Sequence, residues 1–146
     1  MITYADPSAL VGTLLGDAAD PESLHAVILR GDDTVVVSEV ALVEVASACM
    51  AAERDRRVPD GRDVFAKFQS WCRPGKRIRL LAAPDSAILA RAVALTQQER
   101  IFALDALHLA VALELVVPAA AGEPVRFLTR DRTQAQAARA LGFTVA

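Results

Sequence analysis

Three short segments, far apart in the chain, each set one aspartate among mostly apolar residues. They are Tyr4-Ala5-Asp6-Pro7-Ser8-Ala9-Leu10, Leu104-Asp105-Ala106-Leu107-His108-Leu109-Ala110 and Phe127-Leu128-Thr129-Arg130-Asp131. A fourth acid, Glu44, lies inside Val40-Ala41-Leu42-Val43-Glu44-Val45-Ala46. Carboxylates in apolar surroundings are costly unless something positive meets them. Four that converge would supply the oxygen ligands a hard divalent cation takes. The chemistry this points to is metal-dependent cleavage of phosphodiesters.

Each acid also has a structural use. Asp6 and Asp131 are placed to cap helices, and Asp105 to sit in a first helical turn, where the dipole favours an acid. Glu44 is harder to explain that way: Ser47 is its one polar neighbour in sequence, and an unpaired Glu is rarely buried. Ser8 and Thr129 lie two residues from Asp6 and Asp131. Their hydroxyls can hold a water or a phosphate oxygen, or bond a helix end. His108, one turn from Asp105, reads as a packed or surface histidine rather than a catalyst. No Ser-His-Asp or Cys-His arrangement and no Gly-rich phosphate loop is legible.

The elements that must position these residues follow from pattern. Short apolar or β-branched runs predict strands at Ile2–Ala5, Thr34–Val37, Ile78–Ala82, Val125–Leu128 and Phe143–Val145. A first helix runs from Pro7 to about Leu15 and stops at Gly16; a second opens at Pro21 and closes at Gly31. Ser38 is expected to cap a third, through about Glu53. Val64, Phe65, Phe68 and Trp71 describe an amphipathic fourth. Pro84 opens a fifth, Asp105 through Val116 is an apolar sixth, and a last one ends at Leu141 before Gly142. Pro118 to Pro124 is expected as a loop. Strands alternating with helices imply a parallel sheet with helices on both faces, in one domain over residues 1–146. Ligands of such sheets bind beyond the carboxyl ends of the strands, where Asp6 and Asp131 fall.

Composition narrows the class. The 146 residues are 53% hydrophobic but only 5% aromatic, so the core is built mainly from Ala, Val and Leu. No run approaches the ~20 apolar residues of a membrane span. The first residues lack a basic stretch followed by an apolar one, so no export signal is visible. Cys49 and Cys72 stand alone, which suits a reduced cytoplasmic setting and not a zinc site. With the four acids set aside, the formal charge of −2 becomes +2. Basic residues cluster at Arg54, Arg56, Arg57 and Arg62, and at Arg73, Lys76, Arg77 and Arg79. Arginine forks pair bidentately with phosphate. Asp55, Asp60 and Asp63 interleave with the first cluster, which makes solvated surface its plainer use.

The segments around Asp6, Ser38 with Glu44, Asp105 and Asp131, taken in that order, resemble those of PIN-domain ribonucleases, and most nearly the VapC-like toxins of toxin–antitoxin pairs. The likeness spans nearly the whole chain, and Leu-Asp-Ala-Leu-His-Leu-Ala is its most specific part. It implies a three-layer α/β/α sandwich with a parallel five-stranded sheet, Mg2+ or Mn2+, and cleavage of RNA. It also implies a homodimer and a cognate antitoxin that covers the acidic site. On this resemblance Asp6 and Asp105 are inner metal ligands and Glu44 holds the ion or orients the attacking water. Asp131 completes the shell, and Ser8 and Thr129 position water or phosphate. Many relatives carry a further acid two residues after the one matched by Asp131, where this chain has Thr133. One ion and two ions therefore both stay open. Leu10 to Leu15 and Cys49 to Ala52 are expected contact faces for a partner. The rivals are a non-catalytic RNA- or protein-binding domain and a receiver-like signalling domain, the latter disfavoured because no Lys follows a late strand. Ser8 stands where a haloacid-type phosphatase needs a second acid.

Overall fold

Ile2, Thr3 and Tyr4 pair with Thr34, Val35 and Val36 on one side, and with Val125, Arg126 and Phe127 on the other. The first strand is thus the middle of the sheet. The structure, a computed structural model, describes residues 1–16, 19–82 and 84–146. Its strands are β1 (Ile2–Ala5), β2 (Thr34–Ser38), β3 (Ile78–Leu81), β4 (Val125–Leu128) and β5 (Thr144–Val145). They are parallel, in the order 3-2-1-4-5. Val35, Val36, Val37 and Ser38 are all buried, as expected of a parallel strand covered on both faces. Receiver-type domains order their strands 2-1-3-4-5, so the topology sets this chain apart from that class.

The helices are α1 (Pro7–Leu15), α2 (Pro21–His25), α3 (Val40–Arg54), α4 (Gly61–Trp71), α5 (Ser86–Gln98), α6 (Ala103–Val111), α7 (Val117–Ala119) and α8 (Arg132–Ala140). Aspartates cap many of them, each accepting from a backbone N–H of the first turn: Asp6, Asp20, Asp60, Asp85 and Asp131. Several expected boundaries shift. Ser38 does not cap the third helix but ends β2; its Oγ accepts from the N–H of Val40, and Glu39 takes the cap position without a side-chain bond. Asp85 caps α5, so Pro84 lies outside it. The second and sixth helices continue as π-helical segments, Ala26–Arg30 and Ala112–Val116. Pro118 and Ala119, expected in a loop, are helical.

Tyr4 stacks on Phe127 with ring centroids 5.3 Å apart and planes at 10°, and Phe127 meets Phe143 at 5.6 Å. The two segments expected to meet a partner are instead largely spent on this core. Leu10, Cys49 and Ala52 are buried, because α1 packs on α2 and α3, and α3 on α4. In α3 the buried residues Ala41, Val45, Cys49 and Ala52 recur at helical spacing. Where α3 meets α4 the approach is close: a Cβ on Gly61 would lie 2.5 Å from the carbonyl oxygen of Cys49.

At the N-terminal end of the sheet, Arg77 reaches back to the preceding crossover. Its guanidinium donates to the carbonyls of Ile28 (2.7 Å), Asp33 (2.6 Å) and Val27 (3.1 Å). Carbonyls near the end of a helical segment are left without intrahelical partners, and Arg77 supplies them. The Asp33 carboxylate accepts from Thr3 Oγ1 and from Arg126. Among the described residues no helix is long and apolar enough to cross a membrane.

Candidate active site

The direction of strand addition reverses between β1 and β4, and the crevice at such a switch point is where open α/β sheets bind ligands. Asp6 follows β1 and Asp131 follows β4, so both stand at this crevice. Asp6 and Asp131 are N-caps of α1 and α8, and Asp105 lies in the first turn of α6. Three helix N-termini therefore aim their positive ends at three carboxylates. The cap and first-turn roles read from sequence are real, and they coexist with assembly of the acids.

Electrostatics show that the four acids share one neighbourhood. The Asp105 carboxyl is raised to about 6, first by burial, then by the charges of Asp131 and Asp6, with Glu44 adding and His108 opposing. Asp6 is 4% exposed. Its Oδ2 accepts from the Ser8 N–H (3.0 Å) and the Ser8 hydroxyl (2.7 Å), and its Oδ1 accepts from Gln134 Nε2 (2.9 Å). A carboxylate offers about four lone-pair positions, so the position left on Asp6 is on Oδ1.

Ser8 and Thr129 are drawn into the same network. The Ser8 hydroxyl spends its proton on Asp6 and accepts from the N–H of Arg130 (2.9 Å). Thr129 donates to Gln134 Oε1 (2.7 Å) and accepts from the N–H of Asp131 (3.1 Å). Both hydroxyl protons point inward, so toward a ligand these residues offer lone pairs rather than donors.

Glu44 meets His108 from across the site: His108 Nε2 lies 2.5 Å from Glu44 Oε1. The other ring nitrogen, Nδ1, lies 2.7 Å from the Tyr4 hydroxyl, which also accepts from the N–H of Ser38 at 3.2 Å. Burial chiefly pushes the Tyr4 hydroxyl well above its ordinary pKa; the Ser38 bond opposes this, and Asp6 and Glu44 add to it, so it stays protonated. His108 is therefore a bonded core histidine.

The donor set is that of a hard cation. Among the described residues no three His, Cys, Asp or Glu side chains draw together into a ready-made cage. Mg2+ does not need one, because it keeps several waters and takes one or two carboxylates beside substrate phosphates. Asp6 with its remaining lone pair, and Asp105 with its raised carboxyl, fit that demand. A cavity of about 720 Å3 lies elsewhere, at the N-terminal end of β2 and β3, lined by Asp32, Asp33, Arg73, Lys76, Arg77 and Arg79 among others. The second basic cluster thus faces away from the acids.

The architecture is a PIN-like three-layer sandwich. It is similar to a chain in the structure of VapBC-1 from nontypeable Haemophilus influenzae, with a TM-score of 0.62 and 16% identity over 100% of this chain and 97% of that one. At that identity the likeness shows the fold. No protein-family model matches the sequence, and no curated protein matches it.

Gln134, Tyr4 and His108 were not legible as site residues. Asp131-Arg132-Thr133-Gln134 has the spacing of a capping box, in which Gln reaches back to the cap N–H. Here Thr129 serves that N–H, which frees the Gln134 side chain to reach Asp6. A buried Tyr hydroxyl needs a partner, and that need was the available signal for Tyr4.

Proposed function

We propose that this chain is a Mg2+- or Mn2+-dependent endoribonuclease and the toxin of a toxin–antitoxin pair. The observation that carries the reading is the acidic crevice: Asp6, Asp105 and Asp131 at three helix N-termini on the switch point of a PIN-like sheet, with the Asp105 carboxyl pushed up first by burial and then by the charges of Asp131 and Asp6. Repulsion of that kind is what a bound cation relieves. The fold likeness to a VapBC-1 chain supports the same reading.

Asp6 and Asp105 would hold the ion, and Asp131 would complete the shell. The chemistry such an ion supplies is acidification of a coordinated water and neutralisation of charge building on the phosphate. Glu44, held by His108, orients the attacking water and takes up its proton. Ser8 and Thr129 keep Asp6 and Gln134 in place and accept from ordered water. RNA is the substrate class proposed. A cognate antitoxin, and a second copy of the chain, would meet exposed apolar side chains such as Phe102 and Leu104, which flank Asp105 in sequence, and Leu89 and Val93 on α5. Two free cysteines fit a cytoplasmic setting.

The test is cleavage of single-stranded RNA during Mn2+ titration, in the parent chain and in Asp6→Asn and Asp105→Asn. Metal-dependent cleavage is expected in the parent and lost in both variants with the fold intact. Full activity in either variant refutes the assignment. Tight RNA binding without cleavage at saturating Mn2+ would instead favour the non-catalytic reading.

A further inference from the structure

The geometry points to His108 as a positioning residue that fixes Glu44 in the acidic site through its Nε2–H, an inference that rests on the ribonuclease reading. The argument is one of direction. A backbone N–H can only donate, and that of Ser38 donates to the Tyr4 hydroxyl oxygen. Tyr4 then has its own proton to give, and His108 Nδ1 is the acceptor 2.7 Å away. A neutral imidazole that accepts at one nitrogen carries its proton on the other. That proton sits on Nε2, facing Glu44 Oε1 at 2.5 Å.

The opposite tautomer fails at both ends. With the proton on Nδ1, the Tyr4 oxygen would face two donors and its own proton would have no acceptor. A bare Nε2 would oppose a carboxylate oxygen at 2.5 Å, lone pair against lone pair. The ring is 1% exposed, so water has little access to repair either mismatch, while the Glu44 side chain is 20% exposed and opens toward solvent. Four elements therefore converge on one carboxylate: β2 through Ser38, β1 through Tyr4, α6 through His108, and α3 carrying Glu44 itself. Because α6 also carries Asp105, one helix places one acid and steers a second. With Oε1 held, Oε2 is the oxygen left for the attacking water. A carboxylate steered by an imidazole whose other nitrogen is itself bonded is the pattern of outer-shell control at metal sites.

The test reads the ring directly and separately from activity. In metal-free, 15N-labelled protein, NMR should show His108 with a proton-bearing Nε2 and a bare Nδ1. Tyr4→Phe should keep it there, because Glu44 still faces Nε2, and only Tyr4→Phe combined with Glu44→Gln should give a mixture of tautomers. A proton on Nδ1 in the parent chain overturns the proposal. In RNA cleavage with Mn2+, His108→Leu should lose roughly 10–100-fold in kcat with KM unchanged. His108→Gln, whose amide N–H can take the place of Nε2–H, should recover most of it. A Leu variant with parental kcat, or a folded Gln variant no better than Leu, counts against positioning. Should Leu fail to fold, His108→Asn, whose shorter amide does not reach Glu44, takes its place beside Gln. If the parent chain cleaves no RNA, the ribonuclease reading falls, while the nitrogen spectrum still decides whether His108 holds Glu44.

Discussion

The side-chain amide of Gln134 donates to Oδ1 of Asp6 at 2.9 Å, joining residues 128 positions apart. The same side chain accepts from Thr129, its backbone N–H donates to Asp131, and its amide lies 3.5 Å from the Asp105 carbonyl. Gln134 is fully buried, so these bonds have no water to replace them. Gln134→Leu would leave an Asp6 lone pair unmet and the Thr129 proton with only the Ser8 hydroxyl 3.2 Å away, at a cost of about 1–3 kcal/mol. Chemical denaturation should show that loss, with weaker Mn2+ binding by titration. Unchanged values for both would remove Gln134 from the site.

Asp105 sets a pH dependence. Its folded carboxyl titrates at about 6 against an ordinary 3.8, so between those values the folded chain binds more protons than the unfolded one. Stability then falls as pH rises through that window. In metal-free protein, Asp105→Asn should therefore raise Tm at pH 7, and the advantage should vanish below about pH 4. Each ~1 kcal/mol of relief corresponds to roughly 3–5 °C in a chain of this size. Mn2+ should stabilise the parent more than the variant. Calorimetry at several pH values checks both, and a variant less stable than the parent at pH 7 contradicts the raised carboxyl.

Gly61 is fixed by packing. An added Cβ would meet the Cys49 carbonyl at 2.5 Å and the Met50 nitrogen at 3.2 Å, and both are backbone. Gly61→Ala must push α4 away from α3, a loss of about 1–3 kcal/mol by overpacking. Metal affinity should be untouched, because neither helix end at that contact carries a site acid. An urea midpoint equal to the parent's would show that the helices can yield.

Arg77 gives a second stability test far from the acids. It serves three carbonyls with a planar fork, and Lys can present only a point charge. Arg77→Lys should cost about 1–2 kcal/mol through carbonyls left without a strong donor. Faster amide exchange in residues 26–34 would be the local signature, and protection equal to the parent's would argue against the clamp.

The sheet was legible because β-branched and apolar runs lie between strong stops, so β1, β2 and β4 fall within a residue of their expected places. The two π-helical segments were not legible, because a single wide turn leaves the apolar period nearly unchanged. Asp6 and Asp131 announced themselves by following strands. Glu44 looked unaccompanied because its partner, His108, is 64 positions away. No local pattern carries a contact of that range. Leu10 and Cys49 misled for a related reason: apolar helix faces look alike whether they meet a partner or the protein's own sheet.

The cleft lined by Arg73, Lys76, Arg77 and Arg79 and the rim holding the carboxylates occupy opposite ends of one short sheet. The chain thus has two electrical poles. An approaching polyanion is turned so that the cationic pole leads, and on the proposed function a divalent ion would offset part of the repulsion at the negative pole. If the chain acts as proposed, the ion should therefore bind before the nucleic acid. Added salt should blunt the orienting torque once the screening length falls to about 8 Å.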